Sequence, residues 1–246
     1  MTESWEFLYW LVPLAFGGAL IYGITGFGSA LLTIPVSSQF LPMPFSLAVF
    51  GFADLVNALR VGLGNPRLAV RAEVLRIVPF TLIGTLVGIT LLVNIPQRWA
   101  MFALGLFVAA FALYGLLSPP VRRIISQRWA VLAGFSGGIA STLFGAGGPP
   151  YAIYLAHRPL TKEQYRATVS MTAIFSISMR CIAFLVTGLV DMRVLISVLA
   201  VIPAGLAGVA FASVLYKRMS REALVRAIEI VLLVTGVSLI VRSFSL

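Results

Sequence analysis

Apolar residues run in long blocks along this chain, and charged residues collect in the short stretches between them. The segments VPFTLIGTLVGITLLV (78–93) and WAMFALGLFVAAFALYGLL (99–117) carry no charge at all. Crossing a bilayer takes roughly 20 apolar residues as a helix. Single spans are read at about 45–62, 74–93, 98–117, 164–187, 194–214 and 223–243. A barrel would show alternating segments of about ten residues instead, and these runs do not alternate. Only helices and closed barrels satisfy their backbone in lipid. The pattern therefore predicts an all-α integral membrane protein, with 1–246 forming a single transmembrane domain.

Two apolar stretches break the template. Residues 9–41 are too long for one ordinary helix and are interrupted by Gly23, Gly26 and Gly28; residues 130–157 are interrupted by FGAGGPP at 144–150. Composition agrees with lipid as the solvent. The chain is 60% hydrophobic and 11% charged, with a mean hydropathy of +1.02; soluble domains carry about 25% charged residues.

Charge decides how the broken stretches are counted. If each is one crossing, the basic residues divide nine against eight between the two faces, with no bias. If each returns to the face it left, only Arg98, Arg193 and Arg242 fall on one side. Arg180 lies within a span, and the other fourteen of the eighteen Lys and Arg residues share the opposite face. Fourteen against three satisfies the positive-inside rule, which makes the basic face cytoplasmic and puts both termini outside. A multi-pass protein of a bacterial-type inner membrane is expected. The net charge of +10 is then a matter of topology and anionic lipid rather than of nucleic acid. No basic n-region of a cleavable signal is read, since the first basic residue is Arg60. Cys181 and His157 are single, so neither a disulfide nor a Cys/His metal cluster is expected.

The same count predicts two inverted repeats, each a broken helical hairpin followed by three transmembrane helices. Repeat 1 covers about 9–118 and repeat 2 about 129–243. Pro79-Phe-Thr-Leu-Ile-Gly84 matches Pro203-Ala-Gly-Leu-Ala-Gly208 at a shift of 124, and Phe27-Gly28 matches Phe144-Gly145 at a shift of 117. Broken helices in corresponding positions of inverted repeats point to the binding site of a secondary transporter.

The breaks are GITGFGSALLTIP (23–35) and GIASTLFGAGGPPYAIYL (138–155). Glycine lets the backbone turn and approach a ligand closely. A helix that restarts after a break presents free N–H groups and partial positive charge, a ready anion site. Pro149 or Pro150 suits the first turn of such a helix. The candidate substrate-binding residues are Thr25, Gly26, Phe27, Gly28, Ser29, Asn57, Phe144, Gly145, Ala146, Gly147, Gly148, Tyr151 and Arg180. Thr33, Ser141 and Thr142 offer further hydroxyls. The bland alternative is that the glycines serve close helix packing alone.

Arg180 is a charge inside a span, which is a functional hypothesis by default. Three readings of it stand open: direct anion contact, an ion pair with Asp54, and snorkelling toward the outer surface. Asp54 is the candidate for a coupling proton, with Asn57 on the same helix face; Glu229 is read as interfacial.

At these motifs the chain resembles the TauE/SafE family, the sulfite-exporter-like anion transporters also called the toluenesulfonate uptake permease family. GITGFGSALLTIPV and GIASTLFGAGGPPYAIYL carry the resemblance, together with length and two-half organisation. It implies transport, often efflux, of sulfite or C2–C3 organosulfonates, and it leaves room for other small organic anions.

The expected activity is therefore alternating-access transport, with an anion channel as the alternative. Efflux of an anion is favoured by an inside-negative potential, at roughly 2.3 kcal/mol per charge per 100 mV. An enzyme is not expected: the spans hold no histidine and no H-E-x-x-H, and no P-loop appears. No cofactor or metal is called for. The expected partners are a small anion, membrane lipid and, as one option, a second copy of the chain.

Overall fold

The computed structural model describes residues 5–64, 66–117, 124–218 and 221–244. Arg122 and Arg123, counted above on the basic face, lie outside the described residues. After a 3-10 turn at Trp5–Phe7 come α1 (Leu8–Thr25), α2 (Ser29–Ser37) and α3 (Met43–Gly62). A second 3-10 turn, Pro66–Leu68, leads into α4 (Arg71–Asn94) and α5 (Gln97–Leu117). Then follow α6 (Trp129–Phe144), α7 (Gly148–Ala156), α8 (Lys162–Val186), α9 (Met192–Arg218) and α10 (Arg221–Ser243). The architecture is all-α. Among the described residues, six helices are long and apolar enough to cross a membrane: α1, α3, α4, α5, α8 and residues Met192–Ala212 of α9. The last expected span falls on α10.

Each broken stretch is a long arm and a short return. The helix α1 has 18 residues and α2 has 9; α6 has 16 and α7 has 9. Nine residues rise about 13.5 Å, less than half of a hydrocarbon layer of about 30 Å. Both stretches come back to the end where they began. Phe7 meets Phe45 edge-on at 5.8 Å and Trp10 stacks on Phe40 at 6.3 Å. In the second stretch the Ile125 amide donates to the His157 carbonyl at 3.2 Å.

The two ends of the bundle differ in chemistry. At one end Arg193 lies over Phe7 and Phe45, Arg242 over Phe40, and Arg98 over Phe244. At the other, buried Glu73 of α4 accepts from Arg76 at 2.9 Å, Arg158 at 3.0 Å and Tyr154 at 2.6 Å. That cluster ties the base of α7 to α4.

The hairpins pack across the molecule. The arm α1 lies against α9, and α6 against α4. Glycines set both seams. A Cβ on Gly84 of α4 would collide with the Phe135 carbonyl, and one on Gly208 of α9 with the Phe16 carbonyl. Gly134 and Gly138 face α4 in the same way, and Gly23 faces α9. Such close approach replaces the hydrophobic effect, which gives helices little reason to associate in lipid. The remaining helices pair as α5 with α10 and α3 with α8.

Gly84→Leu is expected to lower the stability of the purified protein by about 1–3 kcal/mol, the usual cost of overpacking a tight core. Gly17→Ala is the control, because the nearest side-chain atom, from Leu32, would lie 3.6 Å from the new Cβ. Thermal unfolding in detergent reads both; equal losses would mean that the seam is not close-packed.

Candidate functional site

The two breaks are built alike. The arm α1 ends on Gly26 at φ 85° and α6 ends on Gly145 at φ 72°, both left-handed. Residues with a Cβ pay for that conformation, so glycine is the residue that stops a helix this way. The Gly26 amide donates to Tyr22 and the Gly145 amide to Ser141, which closes each arm. Gly28, at φ 90°, then starts α2. Gly147 starts α7, with Pro149 and Pro150 in its first turn, where their missing N–H groups cost nothing.

The breaks interlock. A Cβ on Gly145 would run into Ala30 and Ile34 of α2, and one on Gly148 would run into the Phe27 ring. Between them lies a cavity of about 20 Å³, room for about one water. The first break contributes Phe27, Gly28 and Ser29, and the second contributes Gly145 to Gly148. Tyr22, Asp54, Ser141, Tyr151 and Ser176 complete the polar wall, with Ala173 and Ile177 of α8 behind them. The first turns of α2 and α7 thus border one interior space, the positive end of each helix toward it.

Arg180 stands behind this wall, 1% exposed, and does not line the cavity. Its Nη1 donates to the Ser141 carbonyl at 2.9 Å, and its Nη2 lies 3.8 Å from Asp54 Oδ2. Burial this deep rules out snorkelling. Asp54 Oδ1 accepts from the Ser29 hydroxyl at 2.5 Å, so one chain of contacts joins α2, α3, α6 and α8. Gly51, one turn before Asp54, leaves the guanidinium its room: a Cβ there would sit 3.5 Å from Nε. Arg180 Nε and the Tyr22 hydroxyl, at and behind this wall, are among the buried polar atoms that keep no protein partner.

Other candidates lie elsewhere. The Phe144 ring packs on Phe107 at 5.4 Å and does not line the cavity. Asn57 is buried against α9, where a Cβ on Gly205 would come within 3.2 Å of its amide. Thr25 bonds the Ile21 and Phe27 carbonyls and so fastens the first break. Gly26 sits beside Ser170. Thr142 is spent on the Gly138 carbonyl at 3.0 Å, and Thr33 packs on Gly18 of α1. Tyr22 and Ser176 are site residues that sequence reasoning missed. Ser176 had a signal, since it precedes Arg180 by one helical turn. Tyr22 had its place beside the first break.

A second cavity, about 160 Å³, opens between Thr25, Leu31, Phe111, Tyr165, Glu229 and Leu232. It shares Phe27 and Gly28 with the first. The Phe27 ring, edge-on to Phe111 at 6.3 Å, stands between the two spaces. Glu229 lines this cavity next to Gly115 of α5 and is partly exposed. Among the described residues no His, Cys, Asp and Glu side chains gather as a metal site.

This is a multi-pass helical membrane protein in which two broken helices meet at one interior cavity. It belongs to the TauE/SafE family, whose model, described as sulfite exporter TauE/SafE, matches residues 11–239. Membership places it among membrane transporters of small anions. The chain is also 26% identical over 166 residues to the "Probable inner membrane transporter protein TsaS" of Comamonas testosteroni, covering 66% of this chain and 69% of that one. No solved structure matches it.

Arg180→Met and Asp54→Asn should each cost about 3–5 kcal/mol, the usual loss when one partner of a buried pair is removed. The double variant should cost clearly less than the sum, because neither charge is then stranded. Unfolding of all four proteins in detergent measures the coupling; simple additivity would mean that the 3.8 Å approach carries no interaction.

Proposed function

We propose that this chain is a secondary carrier that exports a small sulfur-containing anion, sulfite or a C2–C3 organosulfonate, by alternating access. One observation carries the reading: the first turns of α2 and α7 border a single buried cavity, with a guanidinium behind it. Oxyanions are the ligands that such helix ends favour. The unpartnered Tyr22 hydroxyl and Arg180 Nε supply two more donors for a trigonal or tetrahedral oxyanion once the wall relaxes. The family description, sulfite exporter, supports the sulfur chemistry.

In this reading the two halves are inverted repeats. Their packing supports it: α1 on α9 mirrors α6 on α4, while α3 with α8 and α5 with α10 pair each helix with its own counterpart. The left-handed caps set Gly26 opposite Gly145, a shift of 119. The seam carbonyls of Phe16 and Phe135 stand at the same shift. The register at the break therefore moves by two residues from the Phe27/Phe144 match expected above.

Each hairpin is joined through glycine to a helix of the other half. Two rigid units follow, α1/α2/α9 and α4/α6/α7, rocking across the cavity they share. The 20 Å³ space is too small for the anion, so this conformation is closed around the site and supports a carrier over an open pore. Phe27 is the barrier toward the 160 Å³ vestibule, and that vestibule leads to the basic, cytoplasmic end. A proton on Asp54, which lines the same cavity, would travel with the anion. Otherwise the membrane potential alone drives export.

Tyr22→Phe keeps the packing and removes one donor. Losing a hydrogen bond to a charged ligand costs about 1.5–3 kcal/mol, which is roughly 10- to 100-fold in Kd. Sulfite and sulfoacetate should raise the melting temperature of the parent, by mass action, and the variant should need correspondingly more ligand. Phosphate and acetate serve as comparison anions. If none of the anions shifts the parent, or Tyr22→Phe responds like it, the cavity is not the anion site.

A further inference from the structure

The seam between α4 and α8, at the end of the bundle that carries Glu73, holds a cavity of about 490 Å³ that the anion site does not use. The 3-10 turn Pro66–Leu68 roofs it. That turn is anchored where the Val70 amide donates to Thr168 Oγ1 at 3.0 Å. Polar and apolar walls separate by height. Arg67 and Arg71 stand at the rim, where the turn enters α4. Leu75 lies one helical turn further in, and Phe175 lies about 10.5 Å below Thr168 along α8. Leu75 is 70% exposed and Phe175 44% exposed, so the apolar floor opens sideways onto the hydrocarbon. Among the described residues no carboxylate pairs with Arg67 or Arg71. Glu73, the carboxylate next along α4, is already held by Arg76, Arg158 and Tyr154.

We propose that this cavity binds an acidic phospholipid. Its phosphodiester lies between Arg67 and Arg71, and an acyl chain runs over Leu75, Met171 and Phe175. Guanidinium groups match phosphate oxygens in paired hydrogen bonds. Basic pockets between transmembrane helices at the cytoplasmic level are suited to anionic headgroups. A soluble anion would gain nothing from the apolar floor, and a zwitterionic lipid little from two unpaired guanidiniums. An amphipathic anion uses both walls. The site sits on α4 and α8, and its anchor lies within one turn of the Glu73 cluster, so the lipid would brace the helices that hold the second hairpin. The proposal is independent of which anion the protein carries.

The test is native mass spectrometry of the detergent-purified full chain, titrated with phosphatidylglycerol and with phosphatidylcholine. The parent should retain phosphatidylglycerol at least tenfold more tightly. Arg67→Gln with Arg71→Gln should bring the two lipids level. Arg60→Gln with Arg128→Gln, which removes the same charge from the same end, should leave the preference intact. Single variants at 67 and 71 replace the double variant if its melting temperature shows that it is unfolded. Inorganic phosphate in millimolar excess should not displace the lipid. An unchanged preference in the Arg67/Arg71 variants, an equal loss in the control pair, or displacement by phosphate would each overturn the assignment.

Discussion

A backbone that leaves its helix inside the hydrocarbon must find partners for its amides within the protein. This chain does so twice at one depth, and the rest of the structure follows from that. The glycine caps return Gly26 and Gly145 to their own arms, and Leu31 bonds back to Gly28, which leaves Ser29 and Ala30 of α2 and Gly148 of α7 as the first-turn amides that need a polar partner. Bringing both restarts to one cavity concentrates positive potential there. Asp54, held by Ser29 and facing Arg180, is the counterweight. The result is a cavity wall to which main chain and side chains both contribute.

Main-chain sites need rigid supports, and the supports here come from opposite halves. The seams at Gly84 and Gly208 let helix backbones approach within reach of each other's carbonyls. At the ends, the Glu73 cluster and the Arg193 cation–π stack clamp one hairpin each. The cavity wall is thus shared between the two hairpins, so its shape depends on how they sit against one another.

Much of this could be read in the sequence because the breaks have local causes. Glycine at positive φ, proline in a first turn and arginine in loops are all dictated by a few neighbouring residues, so the spans, the two interruptions and the uneven ends were visible. What side chains do across the bundle was not. Phe144 stands beside the glycine run, yet its ring turns to Phe107. Asn57 shares a face with Asp54, yet α9 covers it. Three readings of Arg180 survived because the outcome depends on how α3 meets α8, a packing choice that no periodicity encodes. Tyr22 was passed over because a tyrosine among apolar residues looks like ordinary core, and only the enclosed, unpartnered hydroxyl distinguishes it.

The pairing of α1 with α9 also has a consequence in time. A ribosome adding about 5–20 residues per second finishes α1 long before it reaches Met192. The first hairpin therefore waits roughly ten to thirty seconds in the membrane with its glycine face and open amides unmatched, whereas α6 finds α4 already made. Biogenesis of this protein is asymmetric even where its architecture is balanced, and the N-terminal hairpin is the part an insertion chaperone would have to shelter.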